Sequence, residues 1–300
     1  MSQERTPLTY PLRIATLALC AAALLAGCAA TTAEAPASTP AAVETIQNKG
    51  SDTMVNLALA WAEAYTAEHP QVSISVTGGG SGTGIASLIN GTVDIANASR
   101  EIKPEEHEAA RANGIEPVEY VVAQDAIAVV VHPANPVDRL TLQQISDIYT
   151  GKITNWRELG GEDRPIVLLS RESNSGTYVY FLENVVRLGQ PSDLLLSPDT
   201  LLMPSSEGIG AEVRQNPNAI GYDGLGYVTS EEKTLAIAVS EEAPYVLPSA
   251  QTVNDGTYPI ARPLYMYTAG EPTGEVAAYI EWVLTAGQEL VDDLGFVPLQ

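Results

Sequence analysis

Three short segments carry the residue types that bind anions: Lys49-Gly50-Ser51-Asp52-Thr53, Gly78-Gly79-Gly80-Ser81-Gly82-Thr83-Gly84 and Arg171-Glu172-Ser173-Asn174-Ser175-Gly176-Thr177. Each sets hydroxyls and small residues immediately ahead of a stretch with helical patterning. A helix start exposes backbone N–H groups that have no intrahelical acceptor, together with the positive end of the macrodipole, so it seats an oxyanion. Arg171 adds a guanidinium that can grip an oxyanion through two parallel hydrogen bonds. Ser99-Arg100, after another strand-like stretch, offers a second. Ser51, Thr53, Ser81, Ser99, Arg100, Arg171, Ser175, Gly176 and Thr177 are therefore expected to wrap a small tetrahedral anion. Simpler roles stay open for several of them. Ser and Thr before a helix serve as caps, a glycine run forms a tight turn, and a loop arginine can sit in solvent.

The glycine loop fits no nucleotide or hydrolase pattern. Gly84 is followed by Ile85 and Ala86 rather than Lys and Ser/Thr, and the G-x-G-x-x-G spacing fails at Thr83 and Ile85. Thr83 also occupies the last glycine of a G-x-S-x-G elbow. The acidic residues matter differently. Monoprotonated phosphate has a proton to donate and sulfate has none, so a buried acceptor carboxylate favours phosphate and sets two negative charges face to face with sulfate. Asp52 is placed for that role, or else for the helix dipole alone; Glu172 is a weaker candidate. Asp94, inside Val-Asp-Ile, reads as structural. The three histidines, His69, His107 and His132, are scattered. No spacing suggests a metal site or a catalytic group, so no metal, no cofactor and no enzymatic activity are expected.

These loops need strands to deliver them. Period-two or continuous apolar runs predict strands at 45–49, 72–76, 93–96, 126–131, 166–169, 220–228, 235–238 and 264–267. Helices are predicted at 52–68, with Leu57, Trp61 and Tyr65 as its apolar stripe, and at 83–90, 104–112, 141–149, 176–188 and 274–288. Asn113-Gly114 and Gly151 supply stops. Strands alternating with helices predict an α/β protein whose sheets, mixed but mostly parallel, are flanked by helices. Ligands of such sheets sit beyond the carboxyl ends of strands, where these loops fall.

The ends and composition add bounds. Arg5 and Arg13 precede an apolar run over 14–25, and Leu25-Ala26-Gly27-Cys28 closes it like a bacterial lipobox. Residues 1–28 therefore read as a signal peptide ending at an acylated Cys28, and 29–44, rich in Ala, Thr, Ser and Pro, as a flexible tether. The chain is expected to be exported and lipid-anchored on the extracytoplasmic face. Its two cysteines, Cys20 and Cys28, leave the mature domain without a disulfide. Net charge is −22, from 37 acidic and 15 basic residues, which excludes nucleic acid as a partner. It does not exclude a buried anion, because surface charge is screened over roughly 10 Å.

Taken together, Gly50-Ser51-Asp52-Thr53, Gly80-Ser81-Gly82-Thr83-Gly84 and Val93-Asp94-Ile95-Ala96-Asn97-Ala98-Ser99-Arg100 resemble a known family. So do Ile148-Tyr149-Thr150-Gly151-Lys152-Ile153-Thr154-Asn155-Trp156, Arg171-Glu172 with Ser175-Gly176-Thr177, and Ala219-Ile220-Gly221-Tyr222. The chain is similar, over about 45–300, to the substrate-binding lipoproteins of bacterial phosphate ABC transporters (PstS-like), within the type II periplasmic binding proteins. The resemblance implies two α/β lobes, 45–120 plus 231–300 and 121–230, joined by two crossover strands and closing on dehydrated phosphate. It implies that Ser51, Thr53 and Ser81 contact phosphate from one lobe, and Arg171, Ser175, Gly176 and Thr177 from the other. Longer members end the Ala-Ser segment with an aspartate that accepts the phosphate proton. Here Arg100 stands at that place, and Asp52 is expected to take the role. The implied partner is a membrane permease, served by a monomer. Molybdate or sulfate as ligand, and a surface phosphate sensor or adhesin, are the alternatives.

Overall fold

The computed structural model describes residues 43–300. The expected signal peptide, the acylated Cys28 and the tether up to residue 42 lie outside the described residues. β1 (Glu44–Gly50) leads through a tight turn at Asp52–Met54 into α1 (Val55–Glu68), and β2 (Val72–Thr77) returns parallel to β1. The stripe Leu57, Trp61 and Tyr65 is buried. Next come α2 (Ser81–Ile89), β3 (Ile95–Ala98) and α3 (Pro104–Ala112). β3 starts later than its apolar pattern predicts because Asp94 turns its carboxylate back to accept from Gln47 N at 2.7 Å. That aspartate is structural.

β4 (Val118–Val131) is far longer than the predicted run at 126–131, because its mixed first half is also paired. β5 (Arg139–Thr141) and α4 (Leu142–Tyr149) follow, with Thr141 and Gln144 exchanging side-chain and backbone bonds of 2.8 and 3.1 Å at the helix start. β6 (Val167–Arg171) delivers α5 (Gly176–Phe181). The predicted helix at 176–188 leaves α geometry early, widening into a π turn at Leu182–Val186, where Leu182, Val185 and Val186 all enter the core. The remaining elements are β7 (Leu201–Met203), α6 (Ser206–Gln215), β8 (Ala219–Gly224), β9 (Lys233–Thr234), β10 (Ala236–Ala238), α7 (Ala250–Asn254), β11 (Ala261–Thr268), α8 (Gly274–Leu284) and α9 (Glu289–Asp293).

The main sheet runs β2-β1-β3-β11-β4-β8-β6-β7, with β9 on β4; β10 and β5 form a separate pair. Pairs toward the two ends of the sheet are parallel, whereas β3–β11, β11–β4 and β4–β8 are antiparallel. The sheet is thus mixed, and the antiparallel pairs belong to the strands that run between two lobes. β4 changes partner along its length, pairing with β11 through Ala126 and with β8 from Ile127. Its side chains change core with it: Val122 and Ala123 pack with Trp61 and Leu264, Ala126 and Ile127 with Tyr149 and Tyr222. Leu235, Ile237, Val253, Tyr258 and Ile260 join the second of these cores. No helix among the described residues is long and apolar enough to cross a membrane.

Candidate anion site

The carboxyl ends of β1, β2, β3 and β6 bring the predicted loops together. Ser51 Oγ donates to Ser99 Oγ at 3.0 Å, and Ser81 Oγ accepts from Ser99 N at 3.0 Å. Thr53 and Thr177, from loops 124 residues apart, share a hydroxyl–hydroxyl bond of 2.8 Å. All five hydroxyl residues are buried. Ser51 and Thr53 do not cap the helix that follows them; their hydroxyls turn into the cluster instead. Ser175 does cap, accepting from Thr177 N and Tyr178 N. Gly176 lies against the hydroxyls: a Cβ there would overlap Ser81 Oγ and come within 2.6 Å of Ser99 Oγ.

Arg171 is buried and held from both sides. Nη2 donates to Asp52 Oδ2 at 2.8 Å and to Pro204 O at 3.1 Å, while Nη1 donates to Ser206 Oγ at 2.8 Å. The other oxygen of Asp52 accepts from Gly79 N at 2.9 Å. Asp52 is thus the acid beside the arginine, with both oxygens already accepting. The glycine loop and the Arg171 loop also clasp directly. Gly82 N donates to Asn174 O at 3.0 Å, and Asn174 Nδ2 donates to Gly79 O at 2.9 Å. Gly80 has φ +89°, and a Cβ there would lie 2.7 Å from Asn174 O, so only glycine fits this approach.

Arg100 does not join the cluster in this closed arrangement. Its fork is bidentate to Glu106, with both bonds at 2.7 Å, and it also donates to Glu101 O. Burial pushes the Glu106 carboxyl up, but the hydrogen bonds from Arg100 and Lys103 N hold it below its ordinary range. The second guanidinium at the hydroxyls is instead Arg262, which the motifs gave no reason to choose. Its Nη2 donates to Thr177 Oγ1 at 2.9 Å and reaches Thr53 Oγ1 at 3.4 Å, and its Nη1 donates to Ser99 O. Asp125, its register partner across β4 and β11, accepts from Nη2 at 2.9 Å. Burial pushes the Asp125 carboxyl up against the opposing charge of Arg262. Ser206 and Asp223 were also missed: Ser206 Oγ passes its proton bond to Asp223 Oδ1 at 2.8 Å.

Hydroxyls and two guanidinium groups, Arg171 beside Asp52 and Arg262 on Thr177, therefore converge from both lobes. This donor set suits an oxyanion. Nothing in it resembles an activated nucleophile: the hydroxyls bond one another, His69 stacks on Tyr65 and His132 accepts from Ala134 N. Among the described residues no cluster of His, Cys, Asp and Glu could hold a metal ion.

A PBP superfamily domain matches residues 35–286. The phosphate-binding protein PstS of Pseudomonas aeruginosa is 35% identical over 272 residues, which is 85% of this chain and 83% of the relative. The phosphate-binding protein PstS of Bacillus subtilis is 32% identical over 252 residues, covering 83% of this chain and 79% of the relative. A protein of Clostridium perfringens crystallised with bound phosphate superimposes with a TM-score of 0.77 at 34% identity, covering 86% of this chain and all of that one. By its domain, by this identity over most of its length and by its two-lobed fold, the chain belongs to the PstS phosphate-binding proteins of the PBP superfamily.

Proposed function

We propose that the protein captures inorganic phosphate outside the cytoplasm and delivers it to the permease of an ABC transporter, binding without chemical turnover. The observation that carries this reading is the closed cluster in which Ser51, Thr53, Ser81 and Ser99 meet Gly176 and Thr177 of the facing loop, with Arg171 of that loop bonded to Asp52. In this reading Ser51, Asp52, Thr53, Ser81, Ser99, Arg171, Ser175, Gly176 and Thr177 bind the anion, and Arg262 joins them. Arg100 serves through Glu106 at the rim. The lobes part about β4 and β11. Since residues 235–260 pack with the second core, we place the second boundary near 260 rather than at 231. Acylation of Cys28 would hold a monomer at the membrane face.

Calorimetry tests the ligand, using the domain without residues 1–28 after partial unfolding to strip bound anion. One-to-one phosphate binding with sulfate silent is the expected result; a folded domain that binds neither would overturn the reading. Asp52, beside Arg171, is the acceptor for the phosphate proton. Asp52→Asn is expected to lower the preference for phosphate over sulfate by about 10- to 100-fold. An unchanged preference would remove Asp52 from that role.

Gly176→Ala probes the closed form. The added methyl meets Ser81 and Ser99 only when the lobes are shut, and overpacking of this kind costs about 1–3 kcal/mol. Phosphate affinity is expected to fall about 5- to 150-fold, with the melting temperature of the anion-free domain nearly unchanged. Affinity equal to wild type would mean that the anion-bound form leaves a gap at Gly176.

A further inference from the structure

Behind Arg171, on the side away from Asp52, lies a carboxyl that the phosphate reading does not use. Asp223 stands on β8 and is 3% exposed. Its Oδ1 accepts from Ser206 Oγ and from Gly224 N, both at 2.8 Å. Its Oδ2 is buried without a hydrogen-bond partner. Ser206 connects it to the site, because the same hydroxyl accepts from Arg171 Nη1 at 2.8 Å. Arg171 is therefore fixed by one carboxylate directly and by a second through a serine.

The charges around Asp223 come from each packed element. Arg171 faces it from β6, and Asp125 from β4, already paired with Arg262. Glu207 on α6 and Asp52 share with it the neighbourhood of the Tyr227 hydroxyl, which donates to Asp52 O. Two buried guanidinium groups, Arg171 and Arg262, thus stand against three carboxyls, Asp52, Asp125 and Asp223. Asp52 and Asp125 each bond a guanidinium directly. Asp223 does not. A divalent anion entering on the cleft side of Arg171 adds further negative charge in a medium that screens it poorly. A buried carboxylate in that position relieves the excess most readily by taking a proton.

We propose that Asp223 is a positioning residue of the anion site, fixing Arg171 through Ser206 and taking a proton from solvent when the cleft closes on a divalent anion. This deepens the phosphate reading and rests on it. The group is already poised for the change. Burial pushes its carboxyl from the ordinary 3.8 up to about 6, against the pull of Arg171, Ser206 and the Gly224 N–H. The sign follows from linkage: a site that gains a proton on binding binds more tightly as pH falls. Relative to Asp223→Asn, wild-type affinity rises as pH drops from about 8 toward about 6, then levels off once the free protein is already protonated.

The test is phosphate calorimetry near pH 7 in buffers of different ionisation enthalpy, which counts protons exchanged per anion bound. Phosphate's own ionisation contributes equally to both proteins and cancels in the comparison. Wild type is expected to take up about half to one proton more than Asp223→Asn. Equal counts would overturn the proposal. Should Asp223→Asn fail to fold, aspartate labelled with carbon-13 at the carboxyl in the wild-type domain serves instead. The carboxyl that titrates near pH 6 is expected to move up by about one unit or more on adding phosphate, and a fixed midpoint would refute the coupling. Absence of any phosphate heat in wild type would instead overturn the underlying phosphate reading.

Discussion

Arg171→Met is expected to lower phosphate affinity by about two to four orders of magnitude while the domain stays folded. The arginine is 1% exposed and donates to Asp52, Ser206, Pro204 O and Met203 O. Its removal deletes the buried positive charge that in the proposed reading faces the anion, and leaves the Asp52 carboxylate with Gly79 N as its remaining donor. Breaking one member of a buried ion pair costs about 3–5 kcal/mol, and each 1.4 kcal/mol is about a factor of ten. Much of that cost falls on the bound state. Asp52 keeps 18% of its side chain in solvent, so the anion-free, opened protein can hydrate it. Arg171→Lys keeps the charge and loses the fork, and an affinity between the two is expected. Calorimetry on stripped protein, with circular dichroism to verify the fold, makes the comparison. Affinity within tenfold of wild type for Arg171→Met would displace this arginine from the site.

What was legible in the chain and what was not divide along sequence distance. Local signals read well. The stripe of Leu57, Trp61 and Tyr65, the helix start at Thr141 and the cap at Ser175 all act within a few residues of themselves. Arg100 shows where adjacency misleads. It follows Ser99, which does enter the cluster, but the chain turns its guanidinium to the first turn of α3, where Glu106 binds it through two bonds. Arg262 shows the converse. It lies 209 residues from Thr53, and nothing next to it names the anion. Its signal was different in kind: a lone arginine in an otherwise apolar strand, as Asp125 is a lone acid ahead of the apolar run Ala126-Ile127-Ala128-Val129. A charge buried in a strand needs a partner, and the antiparallel register of β4 and β11 provides it. The antiparallel crossing was equally hidden, since local patterning says nothing about which strands return between lobes.

Because that pair sits at the seam between two cores, Arg262→Met and Asp125→Asn are each expected to destabilise the domain by about 3–5 kcal/mol. Both side chains are at most 1% exposed, so neither can turn to water when its partner is lost. Val122 and Ala123 precede Asp125 in one core, and Ala126 and Ile127 follow it in the other. Arg262 lies in the same way between Ile260 and Leu264. The pair is therefore placed where the lobes must hinge. The double variant separates its structural and functional parts. Met fills the arginine's space and Asn keeps an acceptor for Leu225 N, so a neutral pair is expected to regain most of the lost stability. Phosphate affinity is not expected to return, because no cation then bridges Thr53 and Thr177 across the closing lobes. Chemical denaturation and calorimetry on all four proteins read the two effects separately. If the double variant recovered both stability and affinity, Arg262 would be a strut between the lobes and no part of the anion site.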